Sequence, residues 1–301
     1  MATRFASLLL PLDRSPVAEL AIPFAVAIAR RSKAALEFSA VHRAYFSRDS
    51  HAANAWALKV DQAKEAEVAG EEHAYLDAVA ARVTADSQVP ATATLLTGSV
   101  ASAESIADRI LEHAQSRQSE LIVMTTRALG RMSRLELGSV ADELVRRAHL
   151  PILLVSPGSE ERPHDLQPRL DHFLIPLDGS ELSAQILDTS IALAALMGAR
   201  CTLLRVLAPK SSDGDLQAAE QYLQSVAAAP SAQGLTVQMR VVRSPKPVDA
   251  ILQEAESLQC NLITLATHGY GGFKRLLLGS VADKLIRRAA VPMLVYCPAR
   301  D

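Results

Sequence analysis

Cysteine is scarce in this chain. There are three in 301 residues, Cys201, Cys260 and Cys297, odd in number and in no C-x-x-C pairing. That argues against a disulfide framework and a thiolate zinc site, and Cys201 and Cys260, at the edges of strand-like runs, are expected to be buried, inert thiols. Aromatic residues make up only 4%, too few for a surface on which bases stack. The formal net charge is −2 with no basic run, so no nucleic-acid partner is expected. No uninterrupted apolar run approaches the roughly 20 residues of a membrane span. The first residues, Met-Ala-Thr-Arg-Phe-Ala-Ser, lead into a strand-like run without a basic-then-apolar leader, and a reducing cytoplasm is the expected setting. Catalytic signatures are missing too. Neither Gly-x4-Gly-Lys-Ser/Thr nor Gly-x-Ser-x-Gly occurs, and no Gly-x-Gly-x-x-Gly follows the first strand.

What is present is length for two domains and a composition that is 49% hydrophobic and 21% charged, enough for each to bury a core. Apolar runs of strand length alternate with segments of helical spacing. Ser7 to Leu12, Ala35 to Val41, Ala91 to Leu96, Leu121 to Thr125 and Pro151 to Val155 read as strands. Helices are expected over Ala18 to Arg31, within Trp56 to Ser87, over Ala101 to Ser116 and over Val140 to Ala148. Five strands alternating with helices is the pattern of an open, doubly wound parallel α/β layer. Pro157 to Leu170 is polar and aperiodic and reads as a linker. The order then recurs: strands Phe173 to Leu177, Cys201 to Leu207 and Thr236 to Val242, with helices over Ser183 to Met197, Leu216 to Ala228 and Val248 to Ser257. Residues 211–215 read as a surface turn.

The stretch Leu262 to Tyr296 is the densest in signals. A buried strand, Leu262 to Ala266, runs into a loop carrying Gly269, Gly271, Gly272 and Gly279, then a helix opened by Ser280 and a last strand, Pro292 to Tyr296. Glycines that tolerate positive φ, followed by a helix N-terminus, suit an oxyanion. A plainer reading is equally open: Ser280-Val-Ala-Asp283 is a Ser-x-x-Asp arrangement that would cap a helix in any case. The context is a duplication. Leu135 to Val155 aligns without gaps on Leu276 to Tyr296 with 13 of 21 positions identical, and Leu8 to Ser15 matches Phe173 to Ser180. The offset between copies is 165 residues at Asp13 and Asp178 but 141 at Gly138 and Gly279. The first copy therefore carries 24 extra residues between Val41 and Gly138, expected as a longer loop and helix between the second and third strands.

On these residues the chain resembles a tandem universal stress protein, two domains of the UspA type in one polypeptide. Nucleotide-binding members of that family carry Gly-x2-Gly-x9-Gly-Ser/Thr after the fourth strand and an Asp at the end of the first. The second copy reads Ala266-x2-Gly269-x9-Gly279-Ser280; the first reads Thr125-x2-Ala128-x9-Gly138-Ser139. The resemblance implies an adenine-nucleotide α-hydrolase-like fold with two tandem five-stranded parallel sheets. It implies domains at 1–157 and 171–301 around a linker at 158–170, and fifth strands that pair across a two-fold interface. A tandem chain could form that interface internally, as a pseudo-dimer open to further dimerisation. Both copies end in apolar strands with no charged edge residue, which need pairing.

The resemblance also implies a ligand, ATP or another adenine nucleotide, with Mg²⁺ optional, held mainly by the second copy. Asp178, following Pro176 and Leu177, would take ribose or base, and Val206 would meet adenine through its backbone. Ala266, His268 and Gly269 would wrap ribose and phosphates, with Gly279, Ser280 and Val281 at the phosphate tail. Asp13, Val41, Arg127, Gly138 and Ser139 are the first copy's counterparts, in a motif with two of three glycines replaced. The structural alternative for both aspartates is a turn or helix cap. No catalytic set or metal site is expected, and at most slow ATP hydrolysis alongside a role in stress tolerance. Two rivals remain: a scaffold that has lost nucleotide and works through a partner, and a true hydrolase of the related fold, whose Ser-Gly-Gly-x-Asp-Ser loop is here Asp178-Gly-Ser180 or Asp13-Arg-Ser15.

Overall fold

The computed structural model describes residues 4–43, 46–48, 58–60, 62–97, 105–126, 137–156, 168–267 and 278–297. The first half runs β1 (Ser7–Pro11), α1 (Pro16–Glu19), α2 (Ile22–Ser32), β2 (Ala35–His42), β3 (Phe46–Arg48), β4 (Leu58–Val60), α3 (Gln62–Ser87), β5 (Ala91–Thr97), α4 (Ile106–Ser116), β6 (Leu121–Thr125), α5 (Ser139–Arg147) and β7 (Ile152–Val155). The second runs β8 (His172–Pro176), α6 (Glu181–Ala184), α7 (Leu187–Met197), β9 (Arg200–Leu207), α8 (Asp213–Ala232), β10 (Val237–Arg243), α9 (Pro247–Ser257), β11 (Leu262–Ala266), α10 (Ser280–Arg288) and β12 (Met293–Tyr296).

Each half is a five-stranded parallel sheet in which the first strand is central, flanked by the second on one side and the fourth on the other. The two sheets are continuous. β12 pairs antiparallel with β7, Leu294 opposite Leu153, giving one ten-stranded sheet in the order β10-β9-β8-β11-β12-β7-β6-β1-β2-β5. Consecutive side chains point to opposite faces of a strand, and a parallel sheet is covered on both. Leu8 and Leu10 accordingly join one apolar cluster and Leu9 the other, and each cluster contains residues of both halves. All three cysteines are buried and free. Burial pushes the thiols of Cys201 and Cys260 up, to about 12 and about 11.

Several element boundaries differ from the sequence reading. The first helix of each half is broken after one turn, α1 from α2 and α6 from α7. Residues 58–60 are a strand paired with β3, so the long helix begins at Gln62 and not near Trp56. Residues 212–215 are a helix start: Ser212 and Asp215 form a capping box on α8. A second capping box, Ser105 with Asp108, starts α4 five residues later than the expected Ala101. The extra residues of the first half fall mostly where expected. Residues 43–61 separate β2 from α3, against 208–212 in the second half, and α3 has 26 residues against 20 in α8. The rest lies after the third strand, at 98–105 against 244–246.

Candidate functional site

In an open α/β sheet the chain leaves the central strand in opposite directions, and a crevice opens at the carboxyl ends where the order reverses. Here those points lie between β1 and β6 and between β8 and β11. Asp13 and Asp178 follow β1 and β8, Val41 and Val206 are half-buried near the ends of β2 and β9, and Ala266 closes β11.

Gly138 and Gly279 are the N-caps of α5 and α10. Ser139 and Ser280 are thus the first helical residues, and neither N-terminus receives a side-chain cap. This corrects the capping reading of Ser280 and Asp283: the Asp283 carboxylate accepts from the Arg287 guanidinium one turn on, at 2.9–3.1 Å. It also corrects the role expected of Gly279. Its φ of −57° and ψ of 141° are open to any residue, so positive φ is not what a glycine supplies there. Serine caps four other helices, at Ser15, Ser105, Ser180 and Ser212, while α2, α7 and α9, like α5 and α10, have no side-chain cap. At α5 and α10 the first-turn amides have no side-chain acceptor at the N-cap among the described residues, and the positive end of each helix dipole lies there.

In the first half these parts surround one cavity of about 260 Å³, which brings together Asp13, Val41, Gly138 and Ser139. Two hydroxyls on its wall were not singled out by sequence. Ser39, 0% exposed, and Thr126, 6% exposed, have no hydrogen-bond partner for Oγ and Oγ1 among the described residues. Sequence gave little sign of them, because each sits in an otherwise apolar strand-like run. Asp13 Oδ1 accepts from the Ser15 amide at 3.0 Å. Arg14, also on the wall, has φ 64°, a left-handed conformation that costs an ordinary residue roughly 1–2 kcal/mol.

The second half arranges the same loop differently. Gly179, opposite Arg14, has φ 81°, and a Cβ there would lie 3.3 Å from the Arg205 guanidinium. Arg205 donates to the Leu177 carbonyl at 3.2 Å, beside the Pro176 to Asp178 turn, where the first half has Ala40. Asp178 accepts from the Ser180 amide and hydroxyl at 3.0 and 2.5 Å. Burial pushes its carboxyl up, but the Ser180 hydrogen bonds, Ser183 and the Arg205 charge outweigh this and hold it below the usual range. Val281 follows Ser280 in the first turn of α10. His268 and Gly269 of this site, and Arg127 of the first, lie outside the described residues. Among the described residues no group of three or more His, Cys, Asp or Glu could hold a metal, and no helix is long and apolar enough to cross a membrane.

Comparison with known proteins agrees with this fold. A solved universal stress protein from Archaeoglobus fulgidus DSM 4304 superposes with a TM-score of 0.72 at 19% identity, covering 98% of this chain and 99% of that one. Universal stress protein Mb2019 of Mycobacterium bovis is 25% identical over 308 residues, 94% of this chain and 92% of its own. A universal stress protein of Mycolicibacterium smegmatis is 27% identical over 205 residues, 65% of this chain and 67% of its own. Mb2028c of M. bovis is matched over 62% of its length. The model of the universal stress protein family matches residues 5–156 and again 170–296. The chain therefore belongs to the universal stress protein family and carries its domain twice.

Proposed function

We propose that this chain binds an adenine nucleotide at the crevice of each half, as a stress-response protein that signals by occupancy and not by turnover. The domains would be residues 1–157 and 171–301, joined by 158–170. One observation carries the reading. In the first half, an uncapped helix N-terminus and a strand-end carboxylate share a cavity with two orphan buried hydroxyls. An unsatisfied buried hydroxyl costs roughly 1–3 kcal/mol, and the edge of a heterocycle or a sugar would satisfy both, so the residues present fit a nucleotide.

The α5 and α10 amides at Ser139, Val140, Ser280 and Val281 would bind phosphate oxygens, the dipole of each helix adding to the attraction. Asp13 and Asp178 would accept from the nucleoside. The second half keeps Gly269 and Gly279 of the phosphate signature and is the proposed seat of the longer ATP tail, with or without Mg²⁺.

The test is release of nucleotide from the denatured protein, read by ion-exchange chromatography, with thermal shift on added ATP. Ligand at 100 times its dissociation constant stabilises by about 2.7 kcal/mol, a shift of several degrees. Gly279→Val should abolish the second site by placing a branched side chain at the helix mouth, and Gly138→Val the first. Release that survives both substitutions would place the ligand elsewhere. No release and no shift would leave a scaffold that acts through a partner.

A further inference from the structure

The first-half cavity contains one carboxylate that the duplicated site does not. Glu72, on the third turn of α3, lies on the cavity wall beside Arg14, and its side chain is 15% exposed. His42, the last residue of β2, is clasped between two carboxylates on one face of α3. Its Nδ1 donates to Glu72 Oε2 at 2.6 Å and its Nε2 to Glu65 Oε1 at 2.8 Å. A carboxylate oxygen at hydrogen-bond distance from each ring nitrogen favours a proton on both, and so the imidazolium form of the ring. Glu72 is thereby fixed through one oxygen. The other, Oε1, has the Arg14 guanidinium at 3.9 Å, beyond hydrogen-bond distance. Asp13 is likewise engaged through Oδ1 alone among the described residues.

Two acceptors, one from the end of β1 and one from α3, therefore line one small cavity, each with an oxygen that makes no hydrogen bond among the described residues. An adenine ring offers a single exocyclic amine, whereas a ribose presents two adjacent hydroxyl donors. In the second half the trio is absent. Aligning Tyr75-Leu76 with Tyr222-Leu223 puts Ala219 opposite Glu72, while Leu207 replaces His42 and Gly179 replaces Arg14.

We propose that Glu72 selects the sugar in the first-half site: its second oxygen accepts the ribose 2′-hydroxyl, with Asp13 left to the 3′-hydroxyl, so this site takes a ribonucleotide in preference to its 2′-deoxy counterpart. The assignment rests on the nucleotide-site reading above and adds a chain-specific residue to it.

The experiment uses the full chain with Gly279→Val closing the second site, titrated calorimetrically with AMP and with 2′-deoxy-AMP. A hydrogen bond to a charged group discriminates by about tenfold or more, so AMP should bind at least about tenfold tighter. Adding Glu72→Ala, the residue of the second half, should bring the two affinities together by weakening AMP alone. Unchanged 2′-deoxy-AMP affinity then shows that the variant is folded, and Glu72→Gln, which keeps the shape, should give an intermediate ratio. Equal affinities before Glu72 is changed, or a ratio that survives Glu72→Ala, would overturn the role of Glu72 while leaving a nucleotide site. Binding of neither nucleotide would overturn the site itself.

Discussion

His42 carries the most consequential single proton in the first half. Burial pulls its pKa down, while the hydrogen bonds and charges of Glu72 and Glu65 pull it up, and the net is upward from 6.5. Arg14, in ion-pair range of Glu71 and Glu72, is the cation nearest the clasp in the β1–α1 turn. A group whose folded pKa is raised contributes stability that is complete below the unfolded pKa and lost as pH rises through the folded one. Unfolding free energy from urea melts should therefore fall from pH 6 toward pH 9 in the wild type, and His42→Gln should flatten that slope. An unaltered slope would assign it to other groups. Glu37 offers a structural contrast. It is buried on β2 and accepts from Thr94, His113 and Arg117; burial raises its carboxyl, and those three bonds outweigh it to hold it low. Glu37→Gln should cost roughly 1–3 kcal/mol in the same melts by leaving charged partners unpaired, with nucleotide binding untouched. Neither histidine clasp was legible in the sequence. Glu65 and Glu72 sit among many acidic residues of α3, and only the approach of β2 separates them from their neighbours.

At the scale of elements, helix ends separate what the sequence could show from what it could not. The order of strands and helices follows from apolar runs and spacing, and most interior positions agree. The ends were less legible because one serine can cap, precede or follow a helix start, and the outcome depends on partners brought by the fold. Ser212 with Asp215 became a capping box, whereas Ser280 with Asp283 did not, because Gly279 takes the N-cap position and shifts Ser280 to the first helical residue and Asp283 one place past the capping-box partner. The paired helices α2 and α7 offer a direct test. Both end in a left-handed residue, Gly198 with φ 66° in the second half and Lys33 with φ 59° in the first. A lysine pays a steric penalty there that glycine avoids. Lys33→Gly should stabilise the protein by about 1 kcal/mol in denaturant melts, and a loss of stability would show that the lysine side chain has a compensating contact.

For the whole molecule, the decisive contact is the antiparallel pairing of β7 with β12. The sequence made it readable as two apolar terminal strands with unguarded edges, each needing a partner. The structure satisfies each with the other. Around this seam the duplication becomes a pseudo-two-fold brace: Arg146 bonds Asp142, Arg287 bonds Asp283, and Arg287 reaches across to within 3.7 Å of Asp142. Arg4 and Arg31 of the first half hold opposite ends of α7, Arg4 at the Asp188 carbonyl and Thr189, and Arg31 at the Leu196 and Met197 carbonyls. The positive charge of Arg31 there complements the negative end of the helix dipole. Both apolar clusters cross the seam, so the halves should unfold together. Freed from the first half, residues 168–301 would expose β12, with Leu294 and Met293 now unpaired, and the strand that lies opposite an apolar, quasi-equivalent copy here can pair with a true copy of itself. The fragment should therefore run as a dimer in light scattering at micromolar concentration. Tyr296→Lys, which places a charge at the half-buried end of that edge, should return it to a folded monomer with its circular dichroism retained. A wild-type fragment that stays monomeric would mean that the arginine contacts and the helices, not the strand seam, hold the two halves together.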